Sequence, residues 1–444
     1  MNMIIVMLSK MAAFILKLFG RGTAFPGDLA LKLNKDILNY FEMPKTTIFV
    51  TGTTGKTSVS RTLYELYKNA NVKTVSNVKG SNLIGGVTSA VIEASKLSGK
   101  TKVDALIIEI DERYVKKVFK YITPKYFIIN NLSRDQLARN GHYELVFNEI
   151  NNSINSKTHL ILNADDPLVI KFGLNKKNKI TYYGVKENKH STKTNKINTL
   201  DLAYCPVCHR KLVFDYFNYG NLGKYSCPNN DFNRPDCLYE AELLKNNQFK
   251  VEDNIITMNS DAIYNVYNFL ACYTVCKLDK MNNDVLIEGL NNISKKAKRL
   301  TEFEIDGVKG TILLSKNETP LSYNQSLEYV KTKKEKKTVA IGFTRVSGRY
   351  DLKDLSWLYD INFELLNDKN VEKIILIGPF AYDIAVRLKQ AKIDPKKFVF
   401  CLDYKNSLDF CIKNAKGSLY CVVYFDLDYL YIDQLKEKGV NIWK

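Results

Sequence analysis

The chain has 444 residues, of which 45% are hydrophobic and 25% charged, with a formal net charge of +18. This composition excludes wholesale disorder, and the length calls for roughly two to three domains, each with a core of its own. Nine cysteines in so long a chain exclude a dense disulfide framework. The surplus of 65 Lys+Arg over 47 Asp+Glu favours an anionic partner. With lysines scattered, and no basic arm or nucleic-acid motif, no nucleic acid is expected. A phosphorylated substrate, an anionic membrane surface or simply a lysine-rich solvated surface are the readings left, and charge alone does not separate them.

Residues 1–45 form an apolar N-terminal helix and a lead-in. The stretch from Met3 to Phe19 is mostly apolar but interrupted by Lys10 and Lys17. A secretory signal needs a cleavable small-residue site and a membrane span needs about 20 apolar residues, and neither fits this stretch comfortably. An amphipathic helix is predicted, packed on the body or resting on a membrane surface.

The β-branched run Thr46, Thr47, Ile48, Phe49, Val50 then leads into Thr51-Gly52-Thr53-Thr54-Gly55-Lys56-Thr57. Beyond it Val59, Leu63, Leu66 and Tyr67 recur at helical spacing. Strand, glycine loop and helix are the context of a phosphate-binding loop. Gly52 and Gly55 permit close backbone approach, and the loop N–H groups face an anion. Lys56 adds positive charge near the terminal phosphates, and the Thr57 hydroxyl is placed to ligate Mg²⁺. Val50 stands where the first glycine of the longer form of this loop would be.

Apolar runs at Asp104–Ile110, Tyr126–Asn130, Leu160–Leu162 and Ile180–Tyr183 read as strands buried on both faces, hence a parallel sheet. Polar groups close them: Glu109 with Asp111 and Glu112, then Asn131 and Asp135, then Asn163, Asp165 and Asp166. Glu109 is the candidate carboxylate for Mg²⁺. Residues 198–242 break the rhythm and read as an insertion. Helical periodicity returns at Asn265–Lys277. A second α/β set follows, with strands near Thr338–Ile341, Lys373–Ile377, Phe398–Cys401 and Cys421–Tyr424 and a helix at Ala381–Lys389. The expected organisation is a central ATP-binding domain over 46–302 and a C-terminal α/β domain over 303–444.

Cys205-Pro206-Val207-Cys208 is a zinc-type knuckle, and Cys227 begins a second one. Asn230 occupies the position of the fourth cysteine, so Cys237 is favoured to complete the set, with His209 as the other choice. A structural zinc is expected; the alternative is a relic ribbon held by Tyr and Phe packing. None of the nine cysteines has a glycine neighbour, so none has the flanks of a glutaminase nucleophile.

Thr51–Thr57, Glu109 in E-I-D-E, N-N-L-S-R-D-Q-L, and L-N-A-D-D-P at 162–167 follow one another as in the central domain of the Mur ligases. The chain resembles that family, and within it the MurT branch, the ligase-like subunits of lipid II isoglutaminyl synthases. P-G-D-L-A-L-K-L at 26–33, the cysteine ribbon and D-L-S-W-L-Y-D at 354–360 carry the finer likeness.

The resemblance implies an α/β Mur-ligase-type fold with an inserted zinc ribbon. It places Lys56 and Thr57 on phosphate and Mg²⁺, Glu109 on Mg²⁺, Asn268 near the nucleotide and Arg299 near the phosphates. It departs at 299–302, where R-L-T-E replaces R-x-E. It also implies ATP-dependent amidation of the α-carboxyl of D-glutamate in lipid II, through an acyl phosphate. Ammonia would come from a separate GatD-like glutaminase, at the cytoplasmic face of the membrane.

An essential aspartate is implied at Asp354. Leu355, Leu358, Tyr359 and Phe363 predict a helix with Asp354 near its N-cap, and Asp351 and Asp360 are its rivals. Two alternatives stand: an amino-acid-adding ligase of the Mur or folylpolyglutamate type, and a catalytically decayed nucleotide-binding scaffold.

Overall fold

The structure, a computed structural model, describes residues 1–18, 24–78, 81–134, 141–195, 201–258, 262–296, 300–346 and 354–441. They fall into two compact units, one built from most of residues 1–296 and the other chiefly from the chain beyond it.

Two helices lead in, α1 (Asn2–Leu18) and α2 (Phe25–Leu33). The first sheet then starts with β1 (Thr46–Thr51), followed by α3 (Lys56–Asn69), β2 (Thr74–Ser76), α4 (Ile84–Ala94) and β3 (Ala105–Glu109). It continues with β4 (Tyr126–Ile129), β5 (His159–Asn163) and β6 (Ile180–Val185). The inserted ribbon supplies the antiparallel pair β7 (Val213–Tyr219) and β8 (Leu222–Ser226). The short strands β9 (Tyr239–Leu243), β10 (Gln248–Val251) and β11 (Asn254–Thr257) then return to the first sheet.

Among the described residues that sheet has nine strands, in the order β11-β10-β9-β6-β5-β4-β1-β3-β2. From β2 to β9 every pairing is parallel, and β10 pairs antiparallel with both β9 and β11. The apolar runs demand this arrangement, because alternate residues are buried on opposite faces. Phe49, Leu106, Ile108, Phe127 and Leu160 enter one core. Ile48, Val50, Ile107, Ile128 and Ile161 enter the other, with Val59, Leu63 and Leu66 of α3 and the helix Ile263–Leu278.

After β1 the chain goes to the edge strand β2, returns to β3 beside β1, then crosses to β4 on the other side of β1. Strand order therefore reverses at β1, the kind of switch point beyond whose strand ends α/β sheets bind their ligands.

The second unit has a six-stranded sheet of β12 (Leu300–Ile305), β13 (Val308–Leu314), β14 (Lys337–Gly342), β15 (Val371–Ile377), β16 (Phe398–Cys401) and β17 (Ser418–Val423). Its order is β12-β13-β17-β14-β15-β16, parallel except for the β12–β13 hairpin. The α/β class expected for both halves is what the structure has. The antiparallel edges, β10–β11 and β12–β13, were not foreseen. The apolar stretch after Asp354 folds as two short 3₁₀ turns, Ser356–Asp360 and Phe363–Leu366, rather than one helix.

Candidate functional site

The loop after β1 sits at the strand-order reversal. Gly52 and Gly55 hold φ of 137° and 80°, a region closed to most side chains. A Cβ on Gly55 would also collide with Asn268 Oδ1 and Asn130 Nδ2. These two side chains clamp the turn: Asn130 Nδ2 donates to Asn268 Oδ1 and to the Thr54 carbonyl, each at 3.0 Å. Asn131 closes the other side, its Oδ1 accepting from Thr54 N at 2.8 Å and its carbonyl from Thr53 N at 3.0 Å. The loop is thus braced from β4 and from the helix Ile263–Leu278, with α3 starting at Lys56. The first N–H groups of such a helix lack intrahelical acceptors and favour an anion. Thr57, one residue into α3, is exposed.

Lys56 is not a surface-facing cation. Its Nζ folds back to donate to the carbonyls of Gly52 and Thr53 and lies 3.0 Å from Glu112 Oε1. Both side chains are largely buried, at 12% and 9% exposure. Glu109 pairs with Val50 across β1 and β3, so it ends β3 level with the residue before the loop. It is buried, its Oε1 accepts from Asn82 Nδ2 at 3.0 Å, and Asn77 brackets its backbone with two bonds of 2.8 Å.

The aspartates after β5 have structural partners. Asp166 accepts from the backbone N–H groups of Leu132, Leu168 and Val169. Burial nevertheless pushes its carboxyl up to about 7, those three bonds opposing the shift. Asp165 is fully buried and meets Arg234, a residue of the ribbon.

In the ribbon, Cys205, Cys208, Cys227 and Asp231 bring one ligand atom each to within 4.8 Å of one another. Backbone N–H groups of Val207 and Asn229 point at the sulfurs of Cys205 and Cys227, each at 3.4 Å. His209 and Asn230 follow the two knuckles with φ of 59° and 63°, a left-handed turn that asparagine tolerates. With Asn230 taking the turn, Asp231 reaches back where a cysteine was expected. Cys237 is not in this cluster, and neither is His209. Cys237 instead leads into β9 beside Gly184, and burial pushes its thiol well up. Three thiolates and a carboxylate in this grouping fit a tetrahedral zinc.

Of the remaining candidates, Arg299 and Asp351 lie outside the described residues, as does Asp135. Asp354 is exposed, and its Oδ1 accepts from Ser356 N at 2.9 Å, capping the first 3₁₀ turn. Asp360 is half-buried, and burial raises its carboxyl. All nine cysteines are free. Burial pushes Cys421 up to about 12, and Cys272 and Cys411 well above the usual thiol range.

Sequence reasoning passed over Asn77, Asn82, Asn130, Asp231 and Arg234. Only Asn130 carried a usable signal, standing at a strand end next to Asn131.

Residues 50–276 match the Mur ligase middle domain, and residues 314–426 match the MurT ligase C-terminal domain. The chain is 33% identical over 379 residues to the lipid II isoglutaminyl synthase (glutamine-hydrolyzing) subunit MurT of Staphylococcus aureus (strain COL), covering 84% of each chain. The subunit of the same name from Streptococcus pneumoniae (strain ATCC BAA-255 / R6) is 29% identical over 384 residues, covering 85% of this chain and 84% of that one. Among solved structures, a pseudomurein peptide ligase type C from Methanothermus fervidus has a TM-score of 0.66 at 22% identity, over 91% of this chain and 81% of that one. MurF from Acinetobacter baumannii has a TM-score of 0.62 at 16% identity, over 92% and 80%. The chain belongs to the Mur ligase family, in its MurT branch.

Proposed function

We propose that this chain is the ATP-dependent ligase subunit of a lipid II isoglutaminyl synthase, amidating the α-carboxyl of D-glutamate in the stem peptide. The observation that carries the reading is the pairing of a braced phosphate loop at residues 51–57 with a MurT-type C-terminal domain.

ATP would lie with its phosphates against Gly52, Thr53, Thr54, Gly55 and the start of α3, and with Asn268 and Arg299 as further contacts. Lys56 would exchange Glu112 for phosphate oxygen. Thr57 and Glu109 would hold Mg²⁺, which supplies charge neutralisation across the phosphates. The substrate carboxylate takes the γ-phosphoryl group to form an acyl phosphate. Ammonia then attacks the acyl carbon, phosphate leaves and the amide remains. Asp354 would orient the ammonia or accept its proton.

The buried thiols and the absence of glycine-flanked cysteines favour ammonia from a second, GatD-like glutaminase subunit. Cys205, Cys208, Cys227 and Asp231 would hold zinc as a structural staple. No helix among the described residues is long and apolar enough to cross a membrane, and we place the enzyme at the cytoplasmic face, where its lipid-linked substrate is.

The test supplies ATP, Mg²⁺ and lipid II to the purified chain with either ammonium chloride or an amino acid as acceptor. ATP-dependent conversion of a carboxyl to a carboxamide with ammonium is expected. Addition of an amino acid would establish the amino-acid-adding reading, and no ATP turnover with either acceptor would leave a decayed scaffold.

A further inference from the structure

α1 is an amphipathic helix turned inside out. Its inward side buries Ile5, Val6 and Ser9 and carries Asn2 and Lys10, while Lys17 is exposed. Asn2 bonds Asn34, and Lys10 Nζ reaches the carbonyls of Ile92 and Ser95 at 2.5 and 2.7 Å. The outward side is Met3, Ile4, Met7, Leu8, Met11, Phe14, Ile15 and Leu18, each between 42% and 70% exposed. No charged residue interrupts that face. Phe25 and Leu33 of α2 add exposed apolar surface at 52% and 49%. A contiguous patch of this kind on a folded surface marks a docking site.

We propose that this face lies in the interface of an anionic lipid bilayer, with α1 parallel to the membrane plane. Charge points to lipid as the occupant. The first 27 residues contain no Asp or Glu. Asn34 and the Lys10 contacts set two lysine-bearing segments against α1, the end of α2 and the loop after α4. Residues 1–36 and 93–102 together hold seven lysines and one arginine against three acids. Lysines flanking an apolar face are the pattern of a helix drawn to anionic headgroups.

The face itself offers no Trp, Tyr or Arg and no hydrogen-bonding side chain. A specific protein partner uses such groups to fix its register, whereas a bilayer needs none. At about 1.5 Å per residue the helix is about 25 Å long, too short to span and long enough to lie flat. The proposal rests on the amidation reading only for its purpose, since a lipid-linked substrate would be met in the same plane.

The test is co-sedimentation of the full chain with vesicles of phosphatidylglycerol and phosphatidylcholine in equal parts, and with phosphatidylcholine alone. No lipid II is present, so failure here says nothing about amidation. Binding to the anionic vesicles is expected, weaker on phosphatidylcholine and weaker at high salt. Met7→Glu/Phe14→Glu should reduce it at least about tenfold with an unchanged melting temperature. Should that variant misfold, Leu8→Gln/Ile15→Gln serves in its place. A wild-type chain that stays in the supernatant, or a folded variant that still sediments, overturns the proposal. So does a wild-type dimer that the variant makes monomeric without any vesicle binding, which would assign the face to a second copy.

Discussion

Arg234 Nε lies 2.6 Å from Oδ1 of Asp165, pinning the cysteine ribbon to the end of β5 through a carboxylate with no solvent exposure. The same guanidinium reaches Glu240 Oε1 at 2.7 Å, and Asp165 Oδ2 accepts from Tyr267 OH at 2.5 Å and from Val185 N at 2.9 Å. The ribbon is therefore wired into the sheet and not merely hung from it. Burial raises the Asp165 carboxyl while Arg234 opposes the shift. Arg234→Met should destabilise the chain by about 3–5 kcal/mol in urea unfolding, because a buried acid is left without its cation. Arg234→Met/Asp165→Asn should recover part of the loss. A single variant as stable as the parent would show that the pair contributes nothing.

Lys56→Ala should lower ATP-dependent amidation by about 10²–10³-fold through loss of a charge on the transferred phosphoryl group. It also removes the ammonium that lies 3.0 Å from the buried Glu112 carboxylate, so the melting temperature should fall by about a few degrees. Lys56→Ala/Glu112→Gln should restore the melting temperature and remain inactive. Near-normal turnover by either variant would remove the phosphate role from Lys56.

Metal analysis of protein never exposed to chelator should find about one zinc per chain. Asp231→Ala should lower the content and Cys237→Ser should not, since among the described residues it is Asp231, and not Cys237, that stands with the three clustered cysteines. The reverse pattern would return Cys237 to the site.

Asp354→Asn should abolish amidation with little change in stability. The asparagine side-chain oxygen can still accept from Ser356 N, so the cap survives and only the charge is lost. Full activity in this variant would reduce Asp354 to a turn residue.

Burial, helped by Lys179 and Lys125, pushes the His159 imidazole from 6.5 down to about 4. Its Nε2 faces Thr181 Oγ1 at 2.8 Å. Between these pH values the unfolded chain holds a proton that the folded chain refuses. The contribution of His159 is therefore complete above about 6.5 and is lost as pH falls toward 4. Urea unfolding of His159→Gln across that window should show a shallower decline than the parent; parallel curves would contradict it.

What the sequence made legible follows from where the information lies. β1, its loop and α3 are contiguous, so period and glycines identify them together. The parallel strands announce themselves as apolar runs because both faces are buried. The β10–β11 hairpin has only four residues a strand, Q-F-K-V and N-I-I-T, too few to show a period. Arg234 is hidden for another reason: its partner lies at a distance along the chain, Asp165 being 69 residues away. No periodicity encodes such a meeting.

The clamp of Gly55 between Asn130 and Asn268 also constrains the order in which the protein can be made. Asn268 comes 213 residues after Gly55, and the entire ribbon is synthesised between them. Asp279 extends the dependence, since its carboxylate takes bonds from Thr46, Tyr67 and Lys125. A nascent chain stopped short of that helix has the glycine loop but lacks its far wall, and the sheet face that α3 shares with the helix is only partly covered. Closure over so long a separation is slow, and during translation that apolar face waits for its cover. Truncation after the ribbon should therefore yield a chaperone-dependent, aggregation-prone fragment, although every residue of the loop itself is present.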